Sequence, residues 1–304
     1  MNKDYVYARL CEILDERDIL VDEYMKNHTS FKIGGPADFL VTPRSEDQIK
    51  KIIMFVNKEN IPYFLMGNGS NLLVKDGGIR GVVIKIAENY SGFEIKDNII
   101  KAQAGILLSK LAKNILKHSL SGFEFASGIP GTLGGAIAMN AGAYGGEMKD
   151  VVDSVKLLDL DGNIFELNNE EMKFGYRKSI LTEKKFIVLE VKIVLNKGNY
   201  EDIKSVYNDL TLRRTTKQPL NMPSAGSTFK RPKGYYAGKL IEDSGLRGIT
   251  LNGAQVSKKH CGFVVNAGNA TAKDVLELLD VIKKTVYDKF NVVLEEEIKI
   301  IGED

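Results

Sequence analysis

Arg177 sits in Phe174-Gly175-Tyr176-Arg177-Lys178-Ser179, a short run that mixes aromatic and basic residues. A guanidinium there suits a planar carboxylate or phosphate; a solvated surface arginine is the other reading. Ser227 follows Gly226 in Ser224–Pro232, SAGSTFKRP. No GxSxG surrounds it and no His or Asp is spaced for a triad, so it is not read as a nucleophile. It reads as a hydrogen-bonding or proton-donating hydroxyl, or as a plain turn serine. Glu295, Glu296 and Glu297 stand in a row near the end of the chain. Carboxylates there can act as acid, base or charge partner, or can solubilise an edge strand.

Two glycine-rich stretches add binding chemistry. Gly67-Asn68-Gly69-Ser70-Asn71 opens like a dinucleotide fingerprint, but Leu72 stands where the third glycine belongs and no helix pattern follows. It can still form a nest of amide groups for a phosphate, or be a simple tight turn. Ser121–Gly146 has eight glycines in 26 residues and neither Lys nor Arg. It is too glycine-rich for a good helix or ordinary strand, yet too apolar for a linker. A tightly packed loop and a backbone cradle for a large flat ligand are equally open. Two such loops flanked by strands suggest a dinucleotide held outside a Rossmann fold.

Composition excludes several classes. The 304 residues suggest about two domains, and 43% hydrophobic with 27% charged residues is ordinary for a soluble protein. A net charge of +2 carries no nucleic-acid footprint. The N-terminal segment has no apolar signal-peptide core, and no apolar run is long enough to span a bilayer. Cys11 and Cys261 make neither a disulfide framework nor a CxxC site, which points to a cytoplasmic setting. His28, His118 and His260 lack metal spacing, so no metal is expected.

The elements that must position these groups follow from pattern. Helices are expected over 3–19, from N-cap Ser45 with Gln48 completing a capping box, through Leu107–Leu116, over about 200–216, and from N-cap Thr271 with Asp274. A short helix should end at Gly245. Strands are expected at 37–41, 63–66, 72–74, 82–86, 99–104, 186–195, 249–256, 262–266 and 292–301, with a hairpin through Asp161-Gly162-Asn163. This is α+β patterning, not the regular alternation of a doubly wound sheet.

Taken in order, NHTSFKIGGPADF, GNGSNLLV, SGIPGTLGGAIAMNAGAYGGE, GYRKS, SAGSTFKRP, AGKLIEDSGLRG and LEEEIKIIG are specific. The sequence resembles the UDP-N-acetylenolpyruvoylglucosamine reductases from about Asn27 to Gly302. The resemblance implies an α+β fold with a two-subdomain FAD-binding region of the vanillyl-alcohol-oxidase (PCMH) type and a C-terminal α+β substrate domain. The expected segments are 1–85, 86–198 and 199–297, with 298–304 a strand that could return to the first. It implies non-covalent FAD, NADPH as co-substrate and UDP-N-acetylglucosamine enolpyruvate as substrate, in the cytoplasm; a monomer is expected, with the oligomeric state left open by the sequence.

The resemblance also assigns residues. Gly67, Asn68, Gly69, Ser70 and Asn71 would hold the FAD pyrophosphate. Ser127, Gly128, Gly131, Thr132, Gly134, Gly135, Ala141 and Gly142 would line the rest of the cofactor. Ser227 would protonate C2 of the substrate, and Arg177 with Glu297 would stabilise the enol intermediate. Lys217, Lys230, Arg231 and His260 would face the substrate. Two departures stand out. Glu296 replaces a proline common in the family between its two acids, so the choice of Glu297 rests on its place before IKIIG. The spacing of 50 residues from Arg177 to Ser227 is too short for the Tyr-bearing loop of one branch. The chain therefore resembles the shorter branch, with a more open site. Rival readings are another FAD oxidoreductase, such as an oxidase, and a non-catalytic nucleotide-binding protein.

Overall fold

The computed structural model describes residues 2–304. Seven helices run in order: α1 (Lys3–Cys11), α2 (Glu46–Lys58), α3 (Leu108–Lys117), α4 (Leu133–Ala138), α5 (Tyr200–Lys217), α6 (Ala237–Asp243) and α7 (Ala272–Phe290). A four-stranded sheet has the order Ile19–Tyr24, Pro36–Val41, Ile79–Lys85, Tyr63–Met66. The chain forms two compact units. The first holds the residues up to Leu20, Leu40–Asn68 and Gly81–Arg214; the second holds Val21–Phe39, Gly69–Arg80 and Thr215–Asp304. Among the described residues no helix is long and apolar enough to cross a membrane.

The first unit is built on a five-stranded antiparallel sheet, ordered Ile164–Asn168, Val152–Leu158, Ile187–Val194, Ile99–Gln103, Phe93–Lys96. The expected run of apolar odd positions is borne out, since Ile187, Leu189, Val191, Ile193 and Leu195 are all buried. Helix α4 lies against two of these strands. That helix corrects the reading that Ser121–Gly146 cannot form one. Tertiary contact overrides propensity here: the amides of Leu133 and Gly134 donate to the carbonyls of Ile106 and Ala104, at 2.9 and 2.8 Å.

The second unit packs α6 and α7 with Phe31, Leu73 and Phe229 into one apolar core. Its sheet is the antiparallel trio Thr250–Leu251, Ala254–Val256, Val264–Asn266. Thr271 and Asp274 form the reciprocal capping box expected of them, with each side chain accepting the other's amide. The box at Ser45 is only half made. Ser45 Oγ accepts the Gln48 amide, but Gln48 Oε1 takes the amide of Arg44 instead.

Other boundaries shift. Helix α1 ends at Cys11, well short of residue 19. The 249–256 strand is broken at Asn252, whose φ of 48° turns the chain. The final strand is only Lys299–Ile301, paired in parallel with Leu72–Val74; residues 292–298 run without a regular ladder. An all-extended reading failed there because the pairing partner is a loop that offers one bridge, not a strand.

Asp18 is 2% exposed and anchors a polar cluster in the first unit. Arg44 donates to both its oxygens, Nε at 2.6 Å and Nη2 at 2.7 Å, and Thr42 and Asn89 donate to Oδ1. The Arg44 hydrogen bonds hold the Asp18 carboxyl below the usual carboxylate range. A depressed folded pKa adds stability above the unfolded value of about 3.9, and that stability is lost as pH falls through the folded value. Arg44→Met should cost about 2 kcal/mol at pH 7 in urea unfolding. The gap from wild type should close progressively as the pH is lowered below about 4.

Candidate active site

In the first unit the two glycine-rich stretches meet. A Cβ on Gly67 would collide with Thr132 Oγ1, so only glycine lets that backbone come so close. Gly131, just before, has φ +125°, and its carbonyl accepts the Leu108 amide at 3.1 Å. Thr132 is buried at the start of α4. Gly134 faces inward, where a Cβ would sit 3.0 Å from that of Ala104. Gly135 is exposed, and a Cβ there would meet only Thr132 Oγ1, at 3.6 Å. Gly135 itself is thus exposed backbone with open space beyond it. Ala141 is buried, and Gly142 packs too tightly on Gly146 and Glu147 for a side chain. The Ser127 hydroxyl lies 3.5 Å from that of Thr211 on α5.

The same stretch holds the turn that carries Arg177. Gly175 and Lys178 exchange backbone hydrogen bonds of 3.0 and 3.2 Å around Tyr176-Arg177, and Arg177 has φ +54°. A left-handed arginine is strained, and outside anchors sustain it. Asn140, 1% exposed, donates to Gly175 O at 3.1 Å and to Glu147 at 2.6 Å, and accepts the Lys149 amide. Ser179 Oγ donates to Ala138 O at 2.9 Å. The Arg177 guanidinium lies 5.4 Å from the Tyr176 ring centre. Asn140 was not singled out in the sequence; an asparagine buried in an otherwise apolar run was its only signal.

In the second unit Ser227 and Glu297 lie on paired segments. Thr228 O accepts the Glu297 amide at 2.8 Å, the Lys230 amide donates to Glu295 O at 2.8 Å, and Phe229 bridges Glu296. On the other side, the Thr228 amide donates to Gly262 O, and Thr228 Oγ1 accepts the Val264 amide, both at 2.9 Å. Ser227 is exposed at the lip of this doubly tied segment, after Gly226 with φ +82°. Lys230 pairs with Glu295 at 3.1 Å, and Lys283 of α7 with Glu296 at 2.8 Å. Burial opposes the Glu296 charge, but Lys283 and a backbone hydrogen bond together hold the carboxyl low. Asn71 donates from Nδ2 to Glu297 O at 3.1 Å and accepts the Lys299 amide through its carbonyl. The end of the GNGSN loop therefore fixes the backbone of the third glutamate. Gly69 O, in the same loop, accepts the Ser30 amide, while Ser70 is half-buried. Gly67 and Asn68 belong to the first unit.

The remaining expected residues lie in the second unit. Lys217 is exposed at the end of α5. Arg231 stacks 4.1 Å from the Tyr236 ring centre. His260 is half-buried against Gly238, Gly262 and Phe263, and accepts the Gly262 amide on Nδ1. Burial pushes its pKa down, so it is neutral at pH 7.

The fold is α+β, with an FAD-binding region of the vanillyl-alcohol-oxidase (PCMH) type followed by a C-terminal domain. Residues 37–168 match the FAD binding domain family, and residues 218–301 match the C-terminal domain of UDP-N-acetylenolpyruvoylglucosamine reductase. Over 65% of its length the chain shares the fold of an alkyldihydroxyacetonephosphate synthase (41% of that chain, TM-score 0.50, 18% identity). It is 63% identical to the UDP-N-acetylenolpyruvoylglucosamine reductase of Clostridioides difficile (strain 630), and 57% identical to that of Alkaliphilus oremlandii (strain OhILAs), each over the whole of both chains. The crystal structure of the Thermus caldophilus enzyme superposes with TM-score 0.80 at 36% identity, covering 93% of this chain and 97% of that one. The chain belongs to the UDP-N-acetylenolpyruvoylglucosamine reductase family.

Gly134 and Gly135 should respond oppositely to alanine. Gly134→Ala presses on Ala104 and should cost about 1–3 kcal/mol. Gly135→Ala should raise stability by up to about 1 kcal/mol, the gain in helix propensity. Thermal unfolding of the cofactor-free protein checks both.

Proposed function

We propose that this chain reduces UDP-N-acetylglucosamine enolpyruvate to UDP-N-acetylmuramate, with NADPH as reductant, in peptidoglycan precursor synthesis. Residues 1–85 and 86–198 act as the two cofactor subdomains and 199–297 as the substrate domain. Bound FAD would accept a hydride from NADPH and deliver it to C3 of the enolpyruvyl group. The residues fit such a group. The open space at Gly135 leaves room for a flat ring, and Gly67 lies directly against Thr132 just before it. Gly67–Asn71 would hold the pyrophosphate; Ser127, Gly128, Gly131, Thr132, Gly134, Gly135, Ala141 and Gly142 would line the ring side.

The rest is done by the chain's own side chains. Hydride addition at C3 drives electrons toward the substrate carboxylate, so a cation and a hydrogen-bonding acid are needed where charge develops. Arg177 supplies the first and Glu297 the second. Ser227 delivers a proton to C2. Lys217, Lys230, Arg231 and His260 bind the sugar nucleotide. The observation that carries this reading is the tie between Thr228 O and the Glu297 amide, which puts the serine and the acid on adjacent segments of one unit. It is supported by relatives of that name along the full chain.

Rapid mixing tests it. NADPH should bleach the flavin, and the enolpyruvyl substrate should restore its colour. Ser227→Ala should slow recolouring by about a thousandfold, the scale of a lost general acid, and leave bleaching nearly intact. Equal loss in both halves would remove Ser227 from its role, and recolouring by oxygen alone would make the protein an oxidase. Gly135→Ala should lose FAD on gel filtration although its fold is no weaker; full flavin retention would favour the packed-loop reading.

A further inference from the structure

Near the end of the chain, side chains alternate between two faces. Leu294 and Ile298 are buried in the apolar core of the second unit, in one cluster with Ile282 and Val286 of α7. Glu296 stands between them and is half-buried, while Glu295 is exposed. The segment is locally extended. Phe229 bridges Glu296, and the hydrogen bonds from the Lys230 amide to Glu295 O and from the Glu297 amide to Thr228 O flank that bridge. Successive residues of an extended segment point to opposite faces, so Leu294, Glu296 and Ile298 share the core face and Glu295 and Glu297 the other. An acid in an apolar row is costly unless it is paired. Lys283 of α7 supplies the pair: its Nζ lies 2.8 Å from Glu296 Oε1 and 2.8 Å from Asp280 Oδ1, one turn earlier on the same helix. The hydrogen bonds to Asp280 and Glu296 push the Lys283 pKa up.

We propose that Lys283 is a positioning residue for Glu297. This inference rests on the reading of Glu297 as the hydrogen-bonding acid of the reaction. Three consecutive acids are chemically alike, so what decides which of them turns away from the core is the partner that receives the middle one. A slip of one residue past Thr228–Lys230 would carry every side chain to the other face, bringing Glu297 toward α7 and turning Glu296 out. Leu294 and Ile298 oppose that slip by their burial. Glu296 is the one residue of the row that favours it, and Lys283 removes that cost by pairing it where it lies. Asp280 holds the ammonium from its own helix, so the pair is fixed from both sides. The exposed pair of Lys230 with Glu295 is too solvated to set the register by itself.

The test uses the full chain with FAD bound, and follows the two half-reactions separately by rapid mixing. Lys283→Met leaves the Glu296 charge without its partner on α7. Substrate-driven recolouring should slow by about tenfold, the scale of a small displacement of a reacting group, with bleaching by NADPH unchanged. Lys283→Arg, which keeps the charge, should recolour at close to the wild-type rate. The double variant Lys283→Met with Glu296→Met removes both charges and keeps the row apolar, so it should recover most of the lost rate. Unchanged recolouring in Lys283→Met would overturn the proposal. So would a double variant as slow as the single one, or equal slowing of both half-reactions, which would make the pair a general tie of the fold. If Lys283→Met does not fold, Lys283→Gln is measured in its place and judged by the same outcomes. Glu297→Gln tests the underlying reading: recolouring at the wild-type rate there would remove Glu297 from the reaction, a result separate from any Lys283 variant's.

Discussion

The first unit depends on glycine backbone lying directly against its neighbours, with no side chain of its own between. Gly67 against Thr132 and Gly134 against Ala104 are contacts that one added methyl group would open. They set where α4 begins, and α4 in turn lies on the antiparallel sheet. Its end carries Asn140 and Ser179's acceptor, so the same packing extends to the strained turn at Arg177. A single close approach thereby links the proposed cofactor surface to one of the proposed catalytic side chains.

The second unit solves a different problem. A serine meant to act as an acid must not wander, and side chains on exposed loops are mobile by default. Thr228 answers this by using its amide, hydroxyl and carbonyl on neighbours from both sides. Ser227 stays exposed while its backbone is held. The glutamate row is sorted the same way. Lysines from two different elements engage Glu295 and Glu296, and Asn71 fixes the backbone of Glu297.

Three buried polar groups of the first unit show two kinds of behaviour. Asp18 and Asn140 are satisfied by neighbours within the unit and serve the fold. Arg214 is not, and it lies beside the glycine stretch. A satisfied group needs no ligand to explain it; an unsatisfied one asks for something the chain does not contain.

Much was legible in the residues alone. Periodicity located α2, α3 and α7 and the central strands, because a buried face repeats every 3.6 or two residues whatever surrounds it. The ordered motifs were enough to name the family, since seven short matches in sequence are hard to meet by chance. What they could not decide depends on groups far apart in the chain. Propensity argued against a helix at Leu133–Ala138, and contacts with Ala104 and Ile106 formed one. The alternation rule extended the last strand back to 292, but the facing segment offered a single bridge. Arg214 reads in sequence as one of two adjacent arginines on a polar helix. Only the folded unit shows that one of the pair is buried on a glycine with its Nε and Nη1 unpaired among the described residues, because burial and partnership are properties of neighbours in space and not in the chain.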